Sequence, residues 1–258
     1  MSIYRPKGRA GEYSEWAINL YGGCIHHCLY CYVPLIRKID RATFYEKIYA
    51  YKDIIKKIPD AAMKFKGEIT SPVMLSFTSD PYQPYAIESG ITRQCIMALK
   101  QAGLNVCILS KGGTRTLSDL DLLGPGDIMA ASLTMTNEAS RNKWEKDASS
   151  YADRIHALRV SRDHGLETWA SLEPVIYPDQ TLDIIDDTKD FVDLYKIGTI
   201  NYCKPISGKI DWVTFALTAT NKIRTNGNAY YMKDDLHAFI PEVKKIHNPN
   251  GVCIMHSS

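Results

Sequence analysis

Gly22-Gly23-Cys24-Ile25-His26-His27-Cys28-Leu29-Tyr30-Cys31-Tyr32 gathers three of the chain's seven cysteines into eight residues, spaced CxxxCxxC. Thiols this dense read as ligands of a metal or cluster. Structural zinc sites usually close with four ligands, often as two CxxC pairs. Here there is one loop, three thiols and no second pair. A zinc loop completed by His26 or His27 stays open on these residues alone. A [4Fe–4S] cluster is held by thiolates on its irons. Three cysteines would occupy three of those irons and leave one open for a substrate or cofactor.

The rest of the chain bounds the setting. Its 258 residues suit one large domain, and a hydrophobic content of 45% supplies a core. No apolar run approaches the roughly 18 residues needed to span a bilayer, and the N-terminus has no apolar h-region of a signal peptide. An odd cysteine count with a tight trio argues against a disulfide framework and for a reducing cytoplasm. The net charge of +2 gives no global signature of nucleic-acid binding. Arg5, Lys7 and Arg9 form a local basic group, read as a solvated tail.

Outward from the cysteine loop, short apolar runs alternate with segments of helical period, the pattern of βα units. Trp16–Leu20 is the first predicted strand and leads straight into the loop. Val73–Phe77, Asn105–Leu109, Ile128–Leu133, Glu167–Leu172 and Val192–Ile197 follow, with Tyr230–Met232 a seventh candidate. Phe44, Ile48, Tyr51, Ile55 and Ile58 recur on one helical face, with Pro59 and Pro72 bracketing its exit. A helix runs from Ile91 to about Ala102, ended by Gly103. Leu117–Leu123 reads as a short helix, and Thr136–Ser150 as a polar surface loop or lid.

Six such units predict an α/β fold: a partial (β/α)6 TIM-type barrel of parallel strands with a short C-terminal extension. The whole chain reads as one domain, the barrel at about 14–225 and the extension at about 226–258. Barrel active sites lie at the C-terminal strand ends. Polar or glycine residues follow every predicted strand: the cysteine loop, Thr78-Ser79-Asp80, Ser110-Lys111, Ser132 with Thr134, Glu173, and Lys196 with Asn201. Asp80, Tyr82, Gln83, Glu173, Lys196 and Asn201 are expected to ring the mouth. There Asp80 and Glu173 can hydrogen-bond a ribose, an amine or a base edge, and Tyr82 and Tyr202 can stack a planar ring.

The CxxxCxxC loop, with Tyr30 before its third cysteine, resembles the radical S-adenosylmethionine (radical SAM) superfamily. The resemblance implies a [4Fe–4S] cluster on Cys24, Cys28 and Cys31, with S-adenosylmethionine on the open iron. It implies reductive cleavage to a 5′-deoxyadenosyl radical, which abstracts hydrogen from substrate, and a reductant such as flavodoxin or ferredoxin. The pieces NLYGGC, CLYCYVP, TSDPYQP, TRQC, LSKG and LSDLDLL resemble, more narrowly, the spore photoproduct lyase group, which acts on a thymine dimer in DNA. In that light Tyr30, Ser79, Lys111 and Ser132 fall on cofactor-binding positions, and Asp80 and Glu173 are added as strand-end candidates. Tyr32 matches one tyrosine of a hydrogen-relay pair. A nucleobase, nucleotide or nucleic-acid substrate is implied.

One position departs from the group. Phe77 stands where the lyase has its hydrogen-donating cysteine, so dimer repair by the same route is not implied. Cys203, after the sixth strand, can replace that donor by position. Cys95, Cys107 and Cys253 read as structural. Two alternatives remain: radical SAM modification of a peptide or small metabolite, and a non-catalytic zinc or iron–sulfur protein.

Overall fold

In the computed structural model, which describes residues 3–201 and 203–255, ten strands form two sheets. They are β1 (Trp16–Ile18), β2 (Tyr21–Gly22), β3 (Tyr49–Ala50), β4 (Val73–Leu75), β5 (Val106–Ser110), β6 (Ile128–Ser132), β7 (Glu167–Leu172), β8 (Leu194–Ile197), β9 (Ala229–Met232) and β10 (Ile246–His247). The large sheet has the order β1-β4-β5-β6-β7-β8-β9-β10. Every pairing from β1 to β9 is parallel, and only β10 joins antiparallel. On the far side of β1, Tyr4 forms an antiparallel bridge with Ala17. The expected barrel is present, and its parallel strands run one further, to β9, past the predicted end of the barrel near residue 225.

Sequence decides this architecture through burial on both strand faces. β4, β6, β8 and β9 are buried at every position, as parallel strands between two layers must be. The outward set, including Leu75, Ile108, Met129 and Ile197, packs against helical Ile58, Leu99, Leu158, Ile184 and Phe215. The inward set is separate: Ala17, Met74, Cys107, Ala130, Trp169, Leu194 and Tyr231, filled by Tyr13 from the N-terminal segment and Met255 from the tail. Helix starts are set by side chains that satisfy orphan amides. Asn137 accepts from Ser140 N, Ser150 from Asp153 N and Asp211 from Thr214 N.

Three local expectations are corrected. The helical face predicted from Phe44 to Ile58 is two helices, Arg41–Glu46 and Ile54–Lys64, separated by β3. β3 pairs antiparallel with β2 at the root of the cysteine loop, and that ladder overrides the helical periodicity. Pro59 lies inside the second helix, not at its exit. The predicted loop Thr136–Ser150 contains the helix Glu138–Trp144. The short helix after β5 is a 3-10 helix, Gly113–Leu122. Tyr202 lies outside the described residues. Among them, no helix is long and apolar enough to cross a membrane.

Candidate active site

Glycine opens the cysteine loop. Gly23 has φ +77°, and a Cβ there would lie 2.3 Å from the Lys47 carbonyl oxygen, so only glycine fits. Cys24 N donates to Phe44 O at 3.2 Å. Fully buried Gln83 ties the loop to the end of β4. Its Nε2 donates to Ser79 Oγ at 2.7 Å, its Oε1 accepts from Ile25 N at 3.1 Å, and Ser79 Oγ donates to Gly23 O. On the far flank, Leu29 N donates to Trp144 O, and Cys28 bridges Glu145.

The three thiols lie in a setting that disfavours their charge. Burial pushes Cys24 up to about 12, with Asp80 adding to it, and lifts Cys28 well above the ordinary thiol range and Cys31 in the same direction. A bound cation inverts that preference, because thiolate is the ligating form. Cys24 and Cys31 both pack against the small cluster of Val33, Phe44 and Tyr45. The Nδ1 atoms of both histidines face carboxylates, and His26 Nε2 is buried with no hydrogen-bond partner among the described residues. His26 Nδ1 faces Asp80 Oδ2 at 3.4 Å, and burial brings its imidazole down to about 4 although Asp80 pulls the other way. His27 Nδ1 lies 2.7 Å from Asp147, with its ring against Tyr45. Among the described residues, no three His, Cys, Asp or Glu side chains converge on one ion position. A cluster spreads its thiolates over separate irons and makes no such demand. The donor set therefore fits an iron–sulfur cluster.

Beside the loop, at the ends of β4–β6, the polar groups divide into locked and open ones. Asp80 is saturated: it accepts from Tyr82 N, Ser110 Oγ and Lys111 N at 2.7–2.8 Å. Burial alone would raise its carboxyl, but His26 and these donors outweigh it and lower the pKa. Glu145, with no exposure, forms an ion pair with buried Arg154 at 2.6 Å and accepts from Thr134 Oγ1 at 2.7 Å and from Tyr30 OH. Burial would raise this carboxyl too, yet Arg154, Lys111 and the hydroxyl donors bring it down to about 2. Arg154 also donates to Ser132 O and Ser149 O at 2.9 Å. Lys111 Nζ sits 5.7 Å from the Tyr30 ring centre. Among the described residues neither Lys111 Nζ nor Ser132 Oγ has a protein hydrogen-bond partner.

At the ends of β7–β9 the charges are matched within the chain. Glu173 accepts from Arg9 Nη2 at 3.0 Å, Tyr13 OH at 2.7 Å and Lys233 Nζ at 2.8 Å. Arg9 also binds Asp235 and Asn201 Oδ1. Lys196 is fully buried, donating to Tyr13 O at 2.8 Å and lying 4.3 Å from the Trp169 ring. The N-terminal segment thus lies across this side of the mouth.

The family model described as the radical SAM superfamily matches residues 18–192, more than half of the chain. This chain belongs to the radical SAM superfamily. The family implies S-adenosylmethionine and a [4Fe–4S] cluster, and the chain is an enzyme of that class. MJ0683 of Methanocaldococcus jannaschii is 29% identical over 194 residues, covering 73% of this chain and 71% of that protein. Spore photoproduct lyase complexed with dinucleoside spore photoproduct has TM-score 0.67 at 17% identity, covering 90% of this chain and 79% of the lyase. SuiB of Streptococcus suis bound to S-adenosylmethionine has TM-score 0.65 at 12% identity. The chain covers 88% of itself on SuiB but only 52% of SuiB's length.

Against this radical SAM frame, the structure gathers Tyr30, Ser79, Asp80, Lys111 and Ser132 around the cysteine loop. Tyr32 OH donates to Phe77 O at 3.3 Å, and Phe77 packs beside Tyr13. Cys203 stands apart as the N-cap of the four-residue helix Lys204–Ser207. Tyr82, Gln83 and Lys196 do not ring the mouth, since all three are fully buried. Arg9 is no solvated tail, and Arg5 pairs with Glu15 at 2.9 Å. Glu145 and Arg154 were not among the expected site residues. The sequence does carry their signal: Arg154 lies on the same helical face as buried Ala157, Leu158 and Ser161. An arginine on an apolar face requires a buried anion.

Proposed function

We propose that the chain is a single-domain radical SAM enzyme that abstracts hydrogen from a nucleobase-bearing substrate, in the manner of the spore photoproduct lyase group. Cys24, Cys28 and Cys31 hold a [4Fe–4S] cluster. When bound, the cluster supplies the electron that cleaves S-adenosylmethionine to a 5′-deoxyadenosyl radical. Lys111 meets the methionyl carboxylate as a point charge, Ser132 donates to its polar atoms, and Ser79, whose one hydroxyl proton goes to Gly23 O, keeps a single lone pair to accept from the methionyl amine. Tyr30 walls the adenine side. Asp80 fixes the backbone that carries Lys111, and Glu173, its oxygens taken up by Arg9, Tyr13 and Lys233, shapes the opposite rim without binding the cofactor. Tyr32, at the barrel face beside Phe77, relays hydrogen, and Cys203 is the candidate terminal donor. A flavodoxin or ferredoxin reduces the cluster, in a reducing cytoplasm.

The observation that carries this reading is the pair Lys111 Nζ and Ser132 Oγ, which among the described residues have no protein hydrogen-bond partner, beside a loop whose carboxylates Asp80 and Glu145 are fully engaged. The nucleobase class rests on the motif run from Asn19 to Leu123 shared with the lyase group. The test is anaerobic reconstitution with iron and sulfide, then reduction with S-adenosylmethionine present. 5′-Deoxyadenosine is expected, with deuterium transfer from a labelled oligonucleotide or nucleoside. Product from a peptide and none from any nucleobase would move the substrate class. An intact cluster that yields no 5′-deoxyadenosine would overturn the enzyme reading.

A further inference from the structure

The outer flank of the cysteine loop is built differently from the flank that faces Lys111. The helix Val33–Arg37 follows the third cysteine and buries Val33 and Pro34. It turns Leu35 and Ile36 outward, 58% and 55% exposed, and Leu29 within the loop is 54% exposed. The stretch from Val33 to Lys57 carries seven Lys or Arg and three Asp or Glu, a net +4 in a chain whose total is +2, so the remainder is −2. All seven cations are exposed, and among the described residues none is in an ion pair. Arg41 then links this surface to the ligands. Its Nη2 donates to the Cys31 carbonyl at 2.9 Å, and its Nη1 donates at 3.0 Å to Tyr45 OH, which donates to the Cys28 carbonyl at 2.7 Å.

We propose that this face is the docking surface for an acidic one-electron carrier protein. The inference rests on the cluster assignment above and adds where, and by what chemistry, the electron enters. An apolar centre of Leu35 and Ile36 with a basic surround matches a partner with an apolar patch rimmed by carboxylates. Two copies of this chain would set +4 against +4, so the face does not suit self-association. The projecting centre, Leu35 and Ile36, is aliphatic, and the exposed tyrosines beside it are engaged, Tyr49 edge-on to Tyr51 and Tyr32 through its hydroxyl to Phe77 O, so the face suits unpaired bases less well. The carrier gives up one electron and is oxidised by one. A cluster held by Cys24, Cys28 and Cys31 would take up that electron and supply it for reductive cleavage of a carbon–sulfur bond of S-adenosylmethionine. Lys111 and Ser132 keep the cofactor on the other flank, so carrier and cofactor do not compete.

The experiment compares two electron sources on the reconstituted enzyme, dithionite and a reduced flavodoxin with its NADPH-dependent reductase. The variants are Leu35→Glu with Ile36→Glu, and Lys38→Glu, none of which touches the cysteines or the cofactor flank. Flavodoxin binding by calorimetry is expected to weaken at least about tenfold in both variants. Flavodoxin-driven cluster reduction, read by electron paramagnetic resonance, is expected to slow to match. Dithionite-driven reduction and iron content are expected to stay unchanged. The wild-type flavodoxin rate is expected to fall as salt rises, and the Lys38→Glu rate to fall less. Equal loss with dithionite would mean the variants damage the cluster and would overturn the inference. Unchanged flavodoxin affinity would also overturn it, and weakened binding of an oligonucleotide in its place would assign the face to nucleic acid. A wild-type cluster that accepts flavodoxin's electron but never cleaves S-adenosylmethionine would count against the proposed activity and leave the docking face standing.

Discussion

At the ends of β4–β6, Lys111 Nζ and Ser132 Oγ have no protein hydrogen-bond partner among the described residues, beside the cysteine loop. At the ends of β7–β9, Glu173 and Asp235 are held by Arg9, Tyr13 and Lys233. Both regions sit on the same rim and both are rich in charge. They differ in where the counter-charge comes from. The first keeps donors in reserve for groups outside the chain, while its anions, Asp80 and Glu145, are spent on holding those donors in place. The second spends its cations on its own carboxylates through the N-terminal segment. A ring of polar strand ends is therefore not uniformly a binding surface, and the side with unspent donors is the one to look to for chemistry.

The largest effect tests the first region. Cys28→Ala is expected to abolish iron binding and 5′-deoxyadenosine formation together, measured by iron and sulfide content and product chromatography. Full iron content in the variant would contradict the ligand assignment. Next is Glu145→Gln, which leaves Arg154 buried without its anion. Breaking a buried pair costs about 3–5 kcal/mol, to be read as a shift in denaturant midpoint. Replacing both partners with apolar residues is expected to cost much less than the single change. If the single and double variants unfold alike, the pair is not the anchor of this flank.

Two smaller effects probe the second region. Burial brings Lys196 from its ordinary 10.5 down to about 7. Between those values the unfolded chain holds a proton that the folded chain has shed, so the contribution of Lys196 to stability rises with pH across that window. The difference in unfolding free energy between wild type and Lys196→Met is expected to move in favour of wild type by on the order of 1 kcal/mol per pH unit from pH 7 to 10.5. A difference that is flat with pH would show Lys196 to be solvated. Arg9→Ala is expected to lower stability by about 1 kcal/mol or less, since its side chain is partly exposed. It is expected to leave 5′-deoxyadenosine formation within about twofold of wild type. A loss of product as deep as that of Cys28→Ala would erase the distinction between the two regions.

How much of this was legible in the residues follows from which forces are local. The parallel strands announce themselves because burial on both faces leaves continuous apolar runs such as Ile128-Met129-Ala130-Ala131. The cysteine trio is legible because its ligands lie close in sequence. The break between Arg41–Glu46 and Ile54–Lys64 was hidden, since the β2–β3 ladder that imposes it pairs residues almost thirty positions apart. Gln83 read as a mouth residue because its type is polar; that it is buried depends on Ile25 and Ser79 meeting it across the loop. Glu145 lies in the segment that reads as a polar surface loop or lid, and only the arrival of Arg154 from the next helix makes its burial tolerable. Arg9 read as tail because its partners lie 164 and 226 positions away.

The antiparallel bridge between Tyr4 and Ala17 and the short β10 against β9 bear on the protein's behaviour at high concentration. A parallel sheet that stops short of closing exposes two rows of unpaired backbone groups, each a template for a foreign strand. Here each row is met by a brief segment of the opposite direction, too short to recruit another. An open sheet can thus persist without inviting the chains to polymerise through its edges.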